Sequence, residues 1–457
     1  MTMKNHLIIT LFLCGIFTSS NRAAEPERPN IVFILTDDMG RGDLSVCGGT
    51  QGETPNIDRL AREGTQFDQF YVASPICSPT RASFTTGMFP ARASINTFLQ
   101  RPQGNRLAGQ DNWLDPKWPT LARTLKQAGY ATAHFGKWHM GGGHEVEGAP
   151  EPSAYGYDEY HLNWEGVGPQ FLSPGKDGEP VLNTEDGKKY HRWDFTKYWV
   201  DRSVDFIKRH KERPFYLELW PQDTHTPWVP SREALDRTAV PGLPQSQHNL
   251  RAVINEYDLQ LGRLFDALRD MGVEKNTIVI FTADNGPDPS FDRARTLDQR
   301  GQKKSLYEGG TREPFFVRWP GKIPAGKVNE ATLLSSVDHF PTLCALTGVQ
   351  SPATAAFDGE DMSRAWLGGN LSRTKPLFWE YGRKSKGYSY PPDPRDKSPN
   401  VAIRDGHWKL LVNADGTGAE LYDLANDPKE TTDVADKYPE VTERLKDRAL
   451  SWRKTLP

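Results

Sequence analysis

Asn30-Ile31-Val32-Phe33-Ile34-Leu35-Thr36, running into Asp37-Asp38, is the stretch from which the fold is read. It is a continuous apolar run rich in β-branched residues, the pattern of a strand covered on both faces in a parallel sheet. Thr277-Ile278-Val279-Ile280-Phe281 repeats it and also ends in acid and amide, Asp284-Asn285-Gly286. Residues 130–135, 215–220 and 315–319 read as further strands. Helical spacing predicts helices over 54–70, 121–128, 198–210, 254–268 and 337–346. Strands alternating with helices predict an α/β fold, with a large, mostly parallel or mixed sheet flanked by helices.

The 457 residues are long for one core, so a large domain plus a smaller one is expected. Periodicity fades over 351–370, where Gly, Ala and Ser accumulate. Short strands at 408–412 and 420–424 and a last helix over 438–454 predict a small antiparallel sheet with one packed helix. The expected organisation is a signal peptide at 1–24, a catalytic α/β domain at 25–360 and a C-terminal α+β subdomain at 361–457. Residues 94–119 and 142–197 are polar and rich in Gly and Pro, and read as long surface loops or a lid near the site.

The net charge of −3 gives no case for nucleic acid or an anionic membrane surface. Lys4 and His6 precede an apolar run from Leu7 to Phe17, then small residues lead to Ala23 and Ala24. That run is too short to span a bilayer and reads as a secretory signal, with export to periplasm or medium. No other stretch reads as a membrane span. After cleavage Cys47, Cys77 and Cys344 remain, an odd set rather than a disulfide framework. Pairing of Cys47 with Cys344 stays open.

Two adjacent carboxylates, Asp37 and Asp38, repel each other unless a cation or several N–H donors hold them. Taken alone they read as a solvated turn. At a strand's C-terminal end, where open α/β sheets bind ligands, they read as half of a metal site. Asp284 and Asn285 end the second inner strand and bring the oxygen ligands to four, a set suited to Ca²⁺ or Mg²⁺ rather than zinc. Lys137 and His139 follow the third strand in Gly136-Lys137-Trp138-His139, and His225 follows the fourth in Asp223-Thr224-His225-Thr226-Pro227. Lys303 stands in Arg300-Gly301-Gln302-Lys303, next to Lys304. Cys77-Ser78-Pro79-Thr80-Arg81 opens a helix, with Ser78 the expected N-cap, Pro79 its first residue and Gly87 its stop. Cys77 would face the positive end of the helix dipole, and Arg81, one turn on, could fold back to the same point. The plainer reading of the same residues is a buried structural cysteine, two surface loops and a solvated basic pair.

Cys-x-Pro-x-Arg at Cys77, Gly-Lys-Trp-His at 136–139, Arg-Gly-x-Lys at 300–303 and Glu-Gly-Gly-x-Arg-x-Pro at 308–314 resemble, in order, the signatures of type I, formylglycine-dependent sulfatases of the alkaline-phosphatase-like superfamily. The match runs from Pro29 nearly to the C-terminus. The resemblance implies that a formylglycine-generating or anaerobic sulfatase-maturating enzyme oxidises Cys77 to 3-oxoalanine, whose hydrate attacks sulfur and then expels sulfate. It implies Ca²⁺, with Mg²⁺ the alternative, on Asp37, Asp38, Asp284, Asn285 and the modified Cys77. Arg81, Lys137 and Lys303 would neutralise the sulfate. His139 would hold the second hydroxyl, and His225, with Lys303, would protonate the leaving oxygen. His161 is left out because its spacing does not match. The substrate implied is a sulfate ester, with the aromatic loops, including Trp164 and Trp193, favouring a sulfated carbohydrate. Phosphonate or phosphate monoester hydrolysis, and non-catalytic binding of sulfated glycans, are the alternatives.

Overall fold

The computed structural model describes residues 28–141, 146–163, 171–174, 180–183, 189–384 and 386–457. The expected signal segment 1–24 and Trp164 lie outside them. In chain order the elements that carry the architecture are β1 (Asn30–Thr36), α1 (Pro55–Arg62), β2 (Thr65–Phe67), α2 (Cys77–Thr86), α3 (Pro102–Ala108), α4 (Leu121–Gln127), β3 (Ala131–Lys137), β4 (Glu159–Asn163), α5 (Phe195–His210), β5 (Phe215–Trp220), α6 (Gln245–Asp270), β6 (Thr277–Ala283), β7 (Phe315–Arg318), β8 (Lys327–Asn329), α7 (His339–Thr347), β9 (Leu377–Glu380), β10 (Val401–Asp405), β11 (Trp408–Val412), β12 (Glu420–Asp423) and α8 (Pro439–Lys454).

Among the described residues eight strands form one sheet in the order β8-β2-β7-β6-β1-β5-β3-β4. From β6 to β4 the neighbours run parallel, while β7 is antiparallel to both β6 and β2, so the sheet is mixed. Successive residues of β1 point to opposite faces. Ile31, Phe33 and Leu35 enter one core with α2, α4 and α7. Val32 and Ile34 enter the other with α1, α5 and α6. Helices on both faces are why the run carries no polar position. Cys47 packs against one core and Cys344 lies in the other, and both are free thiols, as is Cys77.

Three expected elements differ. Residues 142–197, expected as a surface loop or lid, supply β4, which pairs in parallel with β3, and the start of α5 at Phe195. The helix expected over 54–70 stops after α1, and residues 65–67 pair as β2 with β7 and β8. Gly64 makes the turn possible: a Cβ there would sit 2.3 Å from the Val317 carbonyl oxygen. Residues 94–119, expected as a surface loop, contain α3 and bury Ile95, Asn96, Thr97, Leu99 and Asn105.

At the C-terminal end β9 to β12 form an antiparallel sheet in sequence order. One face, with Val401, Ile403, Leu410 and Val412, holds Leu445, Ala449 and Trp452 of α8. The other, with Leu377, Trp379, Ala402 and Leu411, meets Tyr71, Cys77, Leu306 and Tyr307. A buried polar cluster joins this sheet to the larger one. The Lys409 ammonium on β11 lies 2.9 Å from Glu308 and 3.0 Å from Glu430, and all three side chains are fully buried. Tyr71 donates to Glu308 at 2.5 Å, and the Glu308 amide donates to Glu430 at 2.6 Å.

Two carboxylates against one ammonium cannot both be fully compensated. Burial, with Glu308 opposing Lys409, pushes Glu430 up to about 7 from 4.5. The folded chain therefore holds a proton there that the unfolded chain releases. The stability this proton contributes is complete below about pH 4.5 and is lost as pH rises through about 7. Thermal unfolding followed from pH 6 to 8 should show falling stability in the parent chain. Glu430→Gln should be less stable throughout but flatter over that window. Lys409→Met, which takes the ammonium from both buried carboxylates, should cost about 3–5 kcal/mol.

Candidate active site and metal centre

β1 and β6 pair in register from Asn30 with Thr277 to Thr36 with Ala283, so both strands end at one level. Asp37, Asp38, Asp284 and Asn285 follow directly and are fully buried. The Asp284 amide donates to the Thr36 carbonyl at 3.0 Å, continuing the ladder one residue past the strand. Asp38 turns with φ 59°, a conformation costly for a residue with a Cβ. Its carbonyl is held by the guanidinium of Arg295 at 2.7 Å, and Arg295 is itself paired with Asp43 at 2.7 Å. After Asn285 the chain passes so close to the Gly309 carbonyl that a Cβ on Gly286 would approach it to 2.1 Å.

Helix α2 begins two residues earlier than expected, and Cys77 is its first residue. Ser78 is not the cap. The cap position is Ile76, which offers no side-chain acceptor, and Ser78 Oγ instead accepts from the Leu99 amide at 2.9 Å. The positive end of the helix dipole is thus not neutralised by a capping side chain, and Cys77 lies there, 3% exposed. Gly87 ends the helix in the left-handed region, as expected.

The expected site residues converge. Arg81 donates from Nε and Nη2 to Asp284 Oδ2 at 3.1 and 2.6 Å, and from Nη1 to the Lys137 carbonyl at 2.9 Å. The Trp220 ring lies 5.2 Å from its guanidinium carbon. Lys137, the last residue of β3, donates to Asp37 at 2.8 Å, and Lys303 donates to Asp38 Oδ2 at 2.6 Å. Of the two adjacent lysines, Lys303 is the one that points inward. His139, with φ 53°, places Nε2 3.2 Å from the Leu99 carbonyl. His225 donates from Nδ1 to the Thr226 carbonyl at 2.6 Å and turns Nε2 toward Asp38 Oδ2 at 3.6 Å. Its loop is carried by Arg192, which donates to the Gln222 and His225 carbonyls at 2.9 Å each. His161, left out of the expected set, packs on Phe135, which lies in the core on one face of the sheet. Trp193 stacks on His191 at 4.2 Å and lines a small cleft with Arg192 and Asp223.

The electrostatics follow from burial. Desolvation raises Asp37, but Lys137 and the other cations more than offset it and hold the carboxyl well below its usual range. Desolvation and then the charge of Asp37 push Asp284 well above it. Desolvation and Lys303 lower His225 to about 3, so it is neutral at pH 7. The donor set fits a hard divalent cation. Asp37, Asp38 and His225 each offer a ligand atom within 4.8 Å of the others. The Asn285 amide nitrogen donates to Asp38 at 2.7 Å, while its Oδ1 is buried without a hydrogen-bond partner. An orphaned amide oxygen beside three buried carboxylates is a ligand set for Ca²⁺ or Mg²⁺, whose charge would reverse the upward push on Asp284.

Sequence reasoning had no signal for Arg295, Thr224, whose hydroxyl donates to the Asp37 carbonyl at 2.6 Å, or Asp288. Each lies in a stretch without strand or helix periodicity and acts through contacts with distant parts of the chain.

The chain matches the Sulfatase family over residues 29–349 and the N-sulphoglucosamine sulphohydrolase C-terminal family over 300–455. It is 34% identical to the N-acetylgalactosamine-6-sulfatase of Canis lupus familiaris, over 82% of this chain and 72% of that one. It is 29% identical to the N-acetylgalactosamine-6-O-sulfatase of Bacteroides thetaiotaomicron, over 94% of each. The crystal structure of Ps i-CgsB in complex with k-i-k-neocarrahexaose aligns with a TM-score of 0.76 at 26% identity, covering 92% of this chain and 91% of that one.

Removing the orphaned oxygen tests the centre directly. Asn285→Ala should weaken Ca²⁺ binding about 10–100-fold, read by calorimetry on metal-free protein and by metal content after dialysis. Unchanged metal content and affinity would place the cation elsewhere.

Proposed function

The chain belongs to the sulfatase family and hydrolyses sulfate esters; from that premise we propose that it desulfates a carbohydrate, with Cys77 oxidised to formylglycine and Ca²⁺ held by Asp37, Asp38, Asp284 and Asn285. The observation that carries this reading is the position of Cys77, at an uncapped helix start beside three cations and three carboxylates. The names of the relatives favour a sulfated amino sugar, and a 6-sulfated N-acetylgalactosamine residue is the first substrate to test. The apolar run from Leu7 to Phe17 supports export, and among the described residues no helix is long and apolar enough to cross a membrane.

When present, the hydrated aldehyde supplies two hydroxyls on one carbon, one to attack sulfur and one to release sulfate, and Ca²⁺ supplies charge that favours the attacking oxygen's anion. The protein's own groups do the rest. The α2 terminus and Arg81 face the incoming anion with partial and full positive charge. Lys137 and Lys303 stand on its flanks, so charge building on the sulfate oxygens meets fixed, largely buried cations. His139 is held at the Leu99 carbonyl, and the Leu99 amide donates to Ser78 next to Cys77, so His139 can take the proton of the second hydroxyl, whose oxygen becomes the aldehyde as sulfate leaves. His225 and Lys303 share Asp38 Oδ2 and stand on the other side, that of the alcohol. A bound sulfate ester brings negative charge to His225 and favours its imidazolium, which can then protonate the leaving oxygen.

Two measurements test this reading. Peptide mass spectrometry of active protein should show an aldehyde at residue 77, and full activity with an unmodified thiol would sink the mechanism. His225→Ala should slow a sugar sulfate about 10²–10⁴-fold, the range for losing a general acid. It should slow 4-nitrophenyl sulfate, whose leaving group departs without a proton, far less.

A further inference from the structure

The site has a direction. Asp38 is fully buried, and Lys303 and His225, which both face its Oδ2, have side chains 6% and 27% exposed. Beside them stands Asp288, with its side chain 20% exposed. One of its oxygens accepts from the hydroxyl of Thr226, the residue after His225, at 2.6 Å. Its other oxygen lies 3.9 Å from the Lys303 ammonium, beyond hydrogen-bond length. Asp288 therefore spans the loop of His225 and the loop of Lys303 at the partly exposed rim of the pocket. A sulfate bound against Asp38 would send its alcohol toward the exposed side of the pocket, where His225 and Asp288 stand.

The same two loops carry an aromatic pair. Trp228, anchored by its indole N–H to the Thr224 carbonyl at 3.0 Å, lies 5.5 Å from Phe291, with the ring planes at 30°. The Arg295 guanidinium lies 5.3 Å from the Trp228 ring. Both aromatic residues are only partly buried. Phe291, Asp292 and Arg293 all take left-handed backbone angles, with φ of 55°, 45° and 66°. Arg293 is tied to Asp396 at 2.6 Å and the Ser290 amide to Gln302 at 3.2 Å, so the surroundings impose this turn. Strain imposed in this way marks a position fixed for use.

Resting on the carbohydrate reading above, we propose that Asp288 and the Phe291–Trp228 pair form the subsite for the sugar ring that leaves. Asp288 accepts a hydrogen from a hydroxyl or amide beside the sulfated carbon. The aromatic pair takes the ring's C–H face. A carboxylate and an aromatic surface at the exit of the reacting bond suit a polar ring with hydroxyl donors, and give a small aryl sulfate only the apolar half.

The test uses metal-loaded, aldehyde-bearing protein and two probes, N-acetylgalactosamine 6-sulfate and 4-nitrophenyl sulfate. In Asp288→Asn, which keeps the acceptor for Thr226, the ratio of kcat/KM for the sugar sulfate to that for the aryl sulfate should fall about 10–100-fold, the range for one hydrogen bond to a charged group. Phe291→Ala should lower the same ratio. N-acetylgalactosamine should inhibit aryl sulfate turnover in the parent chain, with an inhibition constant at least tenfold higher in Asp288→Asn. An unchanged ratio, or equal losses on both probes, overturns the subsite and leaves the sulfatase reading standing. A parent chain that cleaves the aryl sulfate and is neither inhibited by nor active on the sugar also overturns it. If neither probe is turned over, the functional reading of the site has failed. Calorimetric binding of the sugar sulfate, weakened or not by Asp288→Asn, then decides the subsite by itself.

Discussion

Three carboxylates are buried in one place because two strands end in register. Asp37, Asp38 and Asp284 leave β1 and β6 at the same level, and no rotamer change can separate them. Like charges this close in a low-dielectric site are costly unless matched. The match comes from three directions: Arg81 from α2, Lys137 from the end of β3, and Lys303 from the loop that precedes β7. Each cation is also nine-tenths or more buried, so each depends on its acid as much as the acid depends on it. The packing of these elements and the neutrality of the pocket are thus one constraint, and a divalent cation would tighten it further.

The two inner strands were legible because burial on both faces leaves no polar period, and the acidic pairs were legible because they terminate those strands. The helix expected over 54–70 failed for a related reason. Gly64 and Phe67 fall at helical spacing, but spacing does not reveal that Gly64 must pass within van der Waals contact of Val317. Residues 94–119 misled through composition. Their amides looked solvated, yet the Gln110 side-chain oxygen accepts from the Asn96 and Thr97 amides and that of Asn105 from the Gln100 amide. These polar side chains replace secondary structure as partners for a buried backbone. Asp288, Arg295 and Trp228 had no signature because each serves through contacts between segments far apart in the chain, which no local pattern records.

Backbone strain gathers around the same pocket. Asp38, His139 and the three residues from Phe291 all lie in the left-handed region. Such residues cost on the order of 1–3 kcal/mol each when held by their surroundings. Arg295 bears on two of these places, through the Asp38 carbonyl and beside the Trp228 ring. It is a structural residue with a short path to both the metal ligands and the exit side of the pocket.

The Glu308–Lys409–Glu430 cluster bears on how separable the parts of this chain are. Glu308 stands five residues after Lys303 and owes its burial to an ammonium that arrives on β11. Its own amide is held by Glu430, farther still along the chain. A catalytic half cut free before residue 401 would leave Glu308 buried with Arg312, 3.8 Å away, in place of its closer ammonium, in the segment that aims one of its three cations. The C-terminal sheet is therefore not a detachable accessory. Exchanging it between relatives, or shortening the chain to a minimal enzyme, works only if the replacement brings an ammonium and a carboxylate to the same two points.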